Sequence, residues 1–186
     1  PVEGDRTRGY GNRFRIIQGH FVVNGKELIV LASHWTSRLK DGNEQGRNEY
    51  ADKLYGAANA AYHANPKADI LICGDFNDNP DDLSVVKALK ATGVLIALRS
   101  PSPHLQMYNL MAGKDPAAYG THYYSGKWLM FDQIVVSPGM LDNHGWACEP
   151  NSLRAVKNLA KPGDRTGRPW RFGSEKEKGE RGYSDH

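Results

Sequence analysis

Two apolar runs in this chain stop at side chains that could do chemistry, and a third is broken by one. The run containing Ile70, Leu71 and Ile72 ends in Gly74-Asp75-Phe76-Asn77, so a carboxylate and a carboxamide follow a predicted buried strand two residues apart. In extended backbone Asp75 and Asn77 project to one side and Phe76 to the other. A negative oxygen beside a neutral amide suits a site that holds a metal or activates a water near a charged substrate. The same residues, followed by Asp78-Asn79-Pro80, also suit an Asx-type turn. His34 ends the run Leu28–Ala32 as Asp75 ends its own, although a lone histidine is often structural or merely exposed. Asp132 interrupts Trp128–Val136. An acid close to Phe131 and Ile134 must be paired, hydrogen-bonded or turned to a polar cleft, because an unpaired buried charge is costly.

The elements that must position these groups are legible in outline. The stretches Arg13–Ile17 and Gly19–Val23 read as strand, Asn24-Gly25 is a type I′ hairpin signal, and Leu28–Ala32 is the returning strand. Arg13 and Arg15 could meet phosphate or lie on a solvated strand face. From Arg47 to His63, Tyr50, Leu54, Ala57, Ala58, Ala61 and Tyr62 recur at helical spacing and predict a helix lying on the sheet. After the Asp75 strand, Asn79 is placed as an N-cap and Pro80 as the first residue of a short helix. Asp81 and Asp82 then oppose its dipole, and Val85, Val86, Leu89 and Ala91 form its apolar face. A strand is expected near Val94–Ala97, a long loop from Arg99 to Pro116, and two strands, Thr121–Tyr124 and Trp128–Val136, joined at Ser125-Gly126-Lys127. Interleaved helices and strands predict an α/β class.

Composition narrows the alternatives. The 186 residues are enough for one substantial core, and no apolar stretch approaches the roughly 20 residues that cross a bilayer. Cys73 and Cys148 show neither CxxC spacing nor a disulfide framework, and no Cys/His pattern suggests zinc. The net charge of +3 is local: residues 161–182 carry seven Lys/Arg and four Asp/Glu, and the rest of the chain balances. In that segment Trp170 and Phe172 lie among Arg165, Arg168 and Arg171. This pattern fits a nucleic-acid grip or a solvated loop.

Taken in order, Ser33-His34-Trp35, Gly74-Asp75-Phe76-Asn77, Phe131-Asp132-Gln133-Ile134-Val135-Val136-Ser137 and Ser184-Asp185-His186 resemble the motifs of the endonuclease/exonuclease/phosphatase superfamily. The resemblance covers nearly the whole chain. It implies an α/β fold, a DNase I-like sandwich of two packed mixed sheets flanked by helices. It also implies hydrolysis of phosphate esters with a divalent cation, Mg²⁺ first and Mn²⁺ or Ca²⁺ as alternatives. By the same resemblance Asp75 positions or deprotonates the attacking water, and Asn77 donates to the phosphoryl oxygen. Asp132 orients His186, which binds the scissile phosphate or transfers a proton. His34 contacts the phosphate from the other side, with Arg38 also on the substrate side, and Asp185 joins Asp75 as a metal residue.

The expected activity is therefore a phosphodiesterase, a nuclease on DNA or RNA. The alternatives are a phosphomonoesterase or lipid phosphodiesterase of the same superfamily, or a non-catalytic nucleic-acid-binding module. The superfamily's early metal-binding Asn and Glu have no counterpart in Pro1–Gly11, where Glu3 and Asp5 are poor substitutes. Residues 1–186 are accordingly expected to form one domain lacking N-terminal strands and incomplete at both ends, with the missing half of the fold as a potential partner.

Overall fold

The computed structural model describes residues 15–39, 43–98, 102–142, 144–149, 151–156, 159–160, 162–172, 182–184 and 186. Arg13, Glu3, Asp5 and Asp185 lie outside them.

Strands β1 (Ile16–Val23) and β2 (Lys26–Ser33) form the expected antiparallel hairpin. Asn24 and Gly25 both adopt positive φ, 52° and 75°, as a type I′ turn requires. Helix α1 (Asn43–Ala64) then crosses over to β3 (Ile70–Asp75), which pairs with β2 in parallel. The crossover is right for the sequence: Tyr50, Ala51, Leu54 and Ala58 of α1 are buried against Ile29, Leu31, Ile70 and Ile72. These sheet residues alternate along β2 and β3, so one face carries the core beneath the helix.

Downstream come β4 (Ala91–Thr92), β5 (Met107–Asn109), a short helix α2 (Pro116–Tyr119), β6 (His122–Tyr124), β7 (Lys127–Leu129) and β8 (Asp132–Val136). The main sheet is mixed and six-stranded, in the order β1-β2-β3-β8-β5-β4, and β6 and β7 form a separate hairpin. The fold class is the mixed α/β sheet architecture that the motifs implied.

Several local expectations are corrected. Asn79 does not cap a helix: its side-chain oxygen accepts the Met130 N–H (3.1 Å), and its own N–H donates to the Asp82 carboxylate (2.6 Å). The chain beyond makes a π-helical turn, Ser84–Ala88, and Asp82 holds Arg38 instead of facing a dipole. Val94–Ala97 is no strand. β4 is finished by Thr92, and Leu95–Leu98 forms a 3₁₀ turn with Ile96 66% exposed, because the edge of the sheet leaves this run nothing to pair with. The stretch Arg99–Pro116 is not loop throughout, since β5 lies in it, buried between β4 and β8. Trp128–Val136 is not one strand either. Buried Met130 and Phe131 carry the chain from β7 in one sheet to β8 in the other, and β8 begins at the Asp132 that interrupts the run.

Candidate active site

β2 and β3 run parallel and β8 runs against them, so the C-terminal ends of two strands and the N-terminal start of a third meet at one edge of the sheet. His34 follows β2, Asp75 ends β3 and Asp132 begins β8. Asp75 and Asp132 are register partners. Hydrogen bonds lock the edge together: Trp35 N–H donates to the Asp75 carbonyl and Phe76 N–H to the Phe131 carbonyl, both at 2.8 Å. Beneath it Trp35 and Phe76, both buried, stack at 4.3 Å between ring centroids with planes 8° apart. Phe76 therefore supplies the floor on which Asp75 stands. Gly74 makes the approach possible. Its φ is +137°, and a Cβ there would sit 1.9 Å from the Ser33 carbonyl oxygen.

The β3 end is an Asx turn whose side chains belong to the same cluster. Asn77 has φ 52°, so extended backbone does not continue past Asp75. Its backbone N–H donates to Asp75 Oδ1 (2.8 Å), while its side-chain Nδ2 donates to the Trp35 carbonyl (3.1 Å) and to Asp75 Oδ2 (3.2 Å). The amide thus fixes the carboxylate of Asp75. Behind it, buried Gln133 donates to the Asp78 carbonyl (2.6 Å) and accepts from Asn109 (2.6 Å), which anchors the turn to the sheet.

His186 arrives from the far end of the chain. Gly182, Tyr183 and Ser184 donate backbone hydrogen bonds to the carbonyls of Arg171 and Trp170, and this holds the terminal segment in place. His186 Nδ1 lies 2.6 Å from Asp132 Oδ2. Its Nε2 lies 3.7 Å from Asp75 Oδ2, and His34 Nε2 reaches the same oxygen at 3.3 Å. The imidazole of His186 is thus held at one nitrogen, with the other turned to the second carboxylate. His34, Asp75, Asn77, Asp132 and His186 are all brought together.

Arg38 is near but engaged. Its guanidinium donates to the Asn77 carbonyl (2.7 Å) and to Asp78 Oδ1 (2.6 Å), contacts the Asp82 carboxylate, and lies 5.1 Å from the Phe131 ring centroid. Buried Arg47 reaches Asp78 Oδ1 at 2.8 Å as well. Sequence reasoning missed Arg47, Asp78 and the ring of His122, which lies 4.4 Å from that of His186. A basic residue on the buried side of α1 was the available signal for Arg47.

The two carboxylates are driven in opposite directions. Burial raises the pKa of Asp75 from its ordinary value, an effect only partly offset by the Asn77 N–H and by His186. Burial also acts on Asp132, but hydrogen bonds from His186 and Thr121 outweigh it and hold its pKa low. Asp132 is thus the more acidic of the two and Asp75 the more basic. Asp75, Asp132 and His186 each offer one donor atom, all within 4.8 Å of one another, the one such cluster found among the described residues. Two carboxylates at this distance fit a hard divalent cation. Asp75 would hold it, with Asp132 already committed to His186.

The sequence matches the model of the endonuclease/exonuclease/phosphatase family over residues 11–186, so the chain belongs to that family. Among solved structures it is similar to truncated TDP2 of Caenorhabditis elegans at 16% identity and TM-score 0.50, covering 74% of this chain and 51% of that one. Weaker likenesses include the human Nocturnin catalytic domain at 15% identity and TM-score 0.43, covering 66% of this chain and 40% of that one. Another is a mannosyl-6-phosphatase of Bacteroides thetaiotaomicron at 16% and 0.44, covering 66% and 42%. The chain thus spans about half the length of the TDP2 structure. No curated protein sequence matches it significantly.

Proposed function

We propose that this protein is a divalent-metal-dependent phosphodiesterase acting on nucleic acid. The observation that carries the reading is the Asp132–His186 contact of 2.6 Å beside the more basic carboxylate of Asp75. Asp132 fixes the His186 tautomer and stabilises the imidazolium, so that Nε2 can hold a phosphoryl oxygen or move a proton. Asp75, kept in orientation by Asn77, draws the proton from the attacking water. His34, whose side chain is 73% exposed, meets the phosphate from the opposite side. Once substrate displaces them, the Asn77 amide hydrogens can turn to the developing charge. Arg38 acts through the Asn77 carbonyl it holds. A cation bound at Asp75, with Asp185 as the further acid, would neutralise phosphate charge and polarise the ester, and Mg²⁺ suits the hard oxygens.

We further propose that the domain continues in strands beyond this chain. On the sheet face away from α1, Ile17 is 66% and Val23 50% exposed, which supports a second layer there. The test is incubation of the full-length protein with plasmid and short duplex or single-stranded substrates, in Mg²⁺ and then in EDTA. Cleavage abolished by EDTA is expected. Metal-independent cleavage, or no cleavage of any phosphodiester, overturns the reading.

A further inference from the structure

Strand β6 presents its rings on two sides. Tyr123 meets Trp128 edge-on, with centroids 5.2 Å apart, and carries the Arg168 guanidinium 5.6 Å from its ring centre. His122 and Tyr124, two residues apart, project the other way. There the His122 ring lies 5.7 Å from Phe131 with planes 13° apart, and 6.4 Å from Tyr124 with planes 15° apart. The His186 ring adjoins this set, its centroid 4.4 Å from that of His122 and its plane tilted by 33°, which makes a file of neighbouring rings. It begins at the candidate catalytic imidazole and ends at Tyr124, which is 57% exposed. The hairpin tip is a tight turn in which Ser125 and Gly126 take positive φ of 49° and 82°. Beside the file runs an open cleft of 320 Å³, whose walls include His122, Tyr123, Tyr124, Trp170, Arg171 and Arg168, the last paired with Asp164 at 2.9 Å.

Taking the phosphodiesterase reading as given, we propose that this file is a base-stacking shelf. The nucleotide next to the scissile phosphate lays an unpaired nucleobase against Tyr124 and His122, and the preferred substrate is single-stranded or frayed nucleic acid. The near-parallel rings of His122 and Tyr124 can recognise a flat nucleobase whatever the sequence. A base inside a duplex already has both faces covered and must leave the stack to reach such a shelf. An acyl chain would call for a continuous apolar patch, whereas Arg168 and Arg171 interrupt this cleft. The size of the cleft, at the low end for small-molecule sites, suits a single nucleoside.

The experiment has a binding arm and a kinetic arm. Single-stranded oligonucleotides carrying one 2-aminopurine are titrated into wild-type, Tyr124→Ala and Tyr124→Phe proteins, and the fluorescence change on stacking is read. KM is then compared for matched oligonucleotides with a base or an abasic site beside the cleaved bond. The wild type should quench the probe more with single-stranded than with duplex oligonucleotide, and should favour the base-containing substrate by roughly 5- to 150-fold in KM. Tyr124→Ala should lose the quench and bring that ratio towards one, and Tyr124→Phe should restore both. A quench absent from the wild type, one kept in Tyr124→Ala, or a ratio unmoved by the substitution overturns the shelf. So does Tyr124-dependent affinity for phospholipid vesicles with none for oligonucleotide. A Tyr124-dependent quench with no hydrolysis of any phosphodiester leaves the shelf standing and removes the phosphodiesterase reading.

Discussion

Asp75 and Asp132 face each other as register partners at the ends of two antiparallel strands, and their surroundings push their proton affinities apart. The difference comes from partners. Asp132 holds His186 at 2.6 Å, whereas the imidazoles facing Asp75 Oδ2 stand at 3.3 and 3.7 Å. Under the phosphodiesterase reading, Asp132→Asn keeps the shape but permits the wrong imidazole tautomer. The expected outcome is a fall in kcat of about 10²- to 10⁴-fold in steady-state assays with Mg²⁺. The melting temperature should barely move, since the Asp132 side chain is 37% exposed.

Gly74 brings β2 and β3 into contact just before the site. Gly74→Ala would set a methyl group against the Ser33 carbonyl and force an alanine into φ +137°. Both effects act on a buried strand pair, so a loss of roughly 3 kcal/mol or more is expected, or failure to fold. The denaturant midpoint measures it. A midpoint equal to the wild type would show that the strands have room to part.

Asp78 is buried, 3% exposed, and is shared by Arg38, Arg47 and Ser84. Asp78→Ala would leave the buried Arg47 cation uncompensated, at a cost of about 3–5 kcal/mol. A double-mutant cycle with Arg47→Met separates this penalty from lost packing. The pair should show strong coupling, with the double variant more stable than the two single effects predict.

Asp164 accepts hydrogen bonds from the Thr166 hydroxyl, the Thr166 N–H and Arg168, which lower its pKa from 3.8 to about 2. A depressed carboxylate contributes stability above its unfolded pKa and loses it as pH falls. The turn at 164–168 should therefore hold above pH 3.8 and loosen as pH drops through about 2. An NMR titration of the Thr166 amide is expected to show that midpoint. One at the ordinary carboxylate pKa would mean the three donors do not act on Asp164.

The hairpin of β1 and β2, helix α1 and the strand ending at Asp75 were legible because each is written locally, in Asn24-Gly25, in helical spacing from Tyr50 to Tyr62, and in an apolar run stopped by a carboxylate. The identity of the polar residues at strand ends was legible too, since charge inside an apolar run asks for a partner. What lay beyond the sequence was how the run Trp128–Val136 divides between two sheets, because apolar residues stand on both sides of the crossing. β5 was hidden by being three residues long, too short for any period to show. Arg47 and His122 were invisible as site neighbours for a further reason. Their partners, Asp78 and His186, are distant in the chain, and only the packing of α1 and the return of the terminal segment along Trp170 and Arg171 bring each pair together.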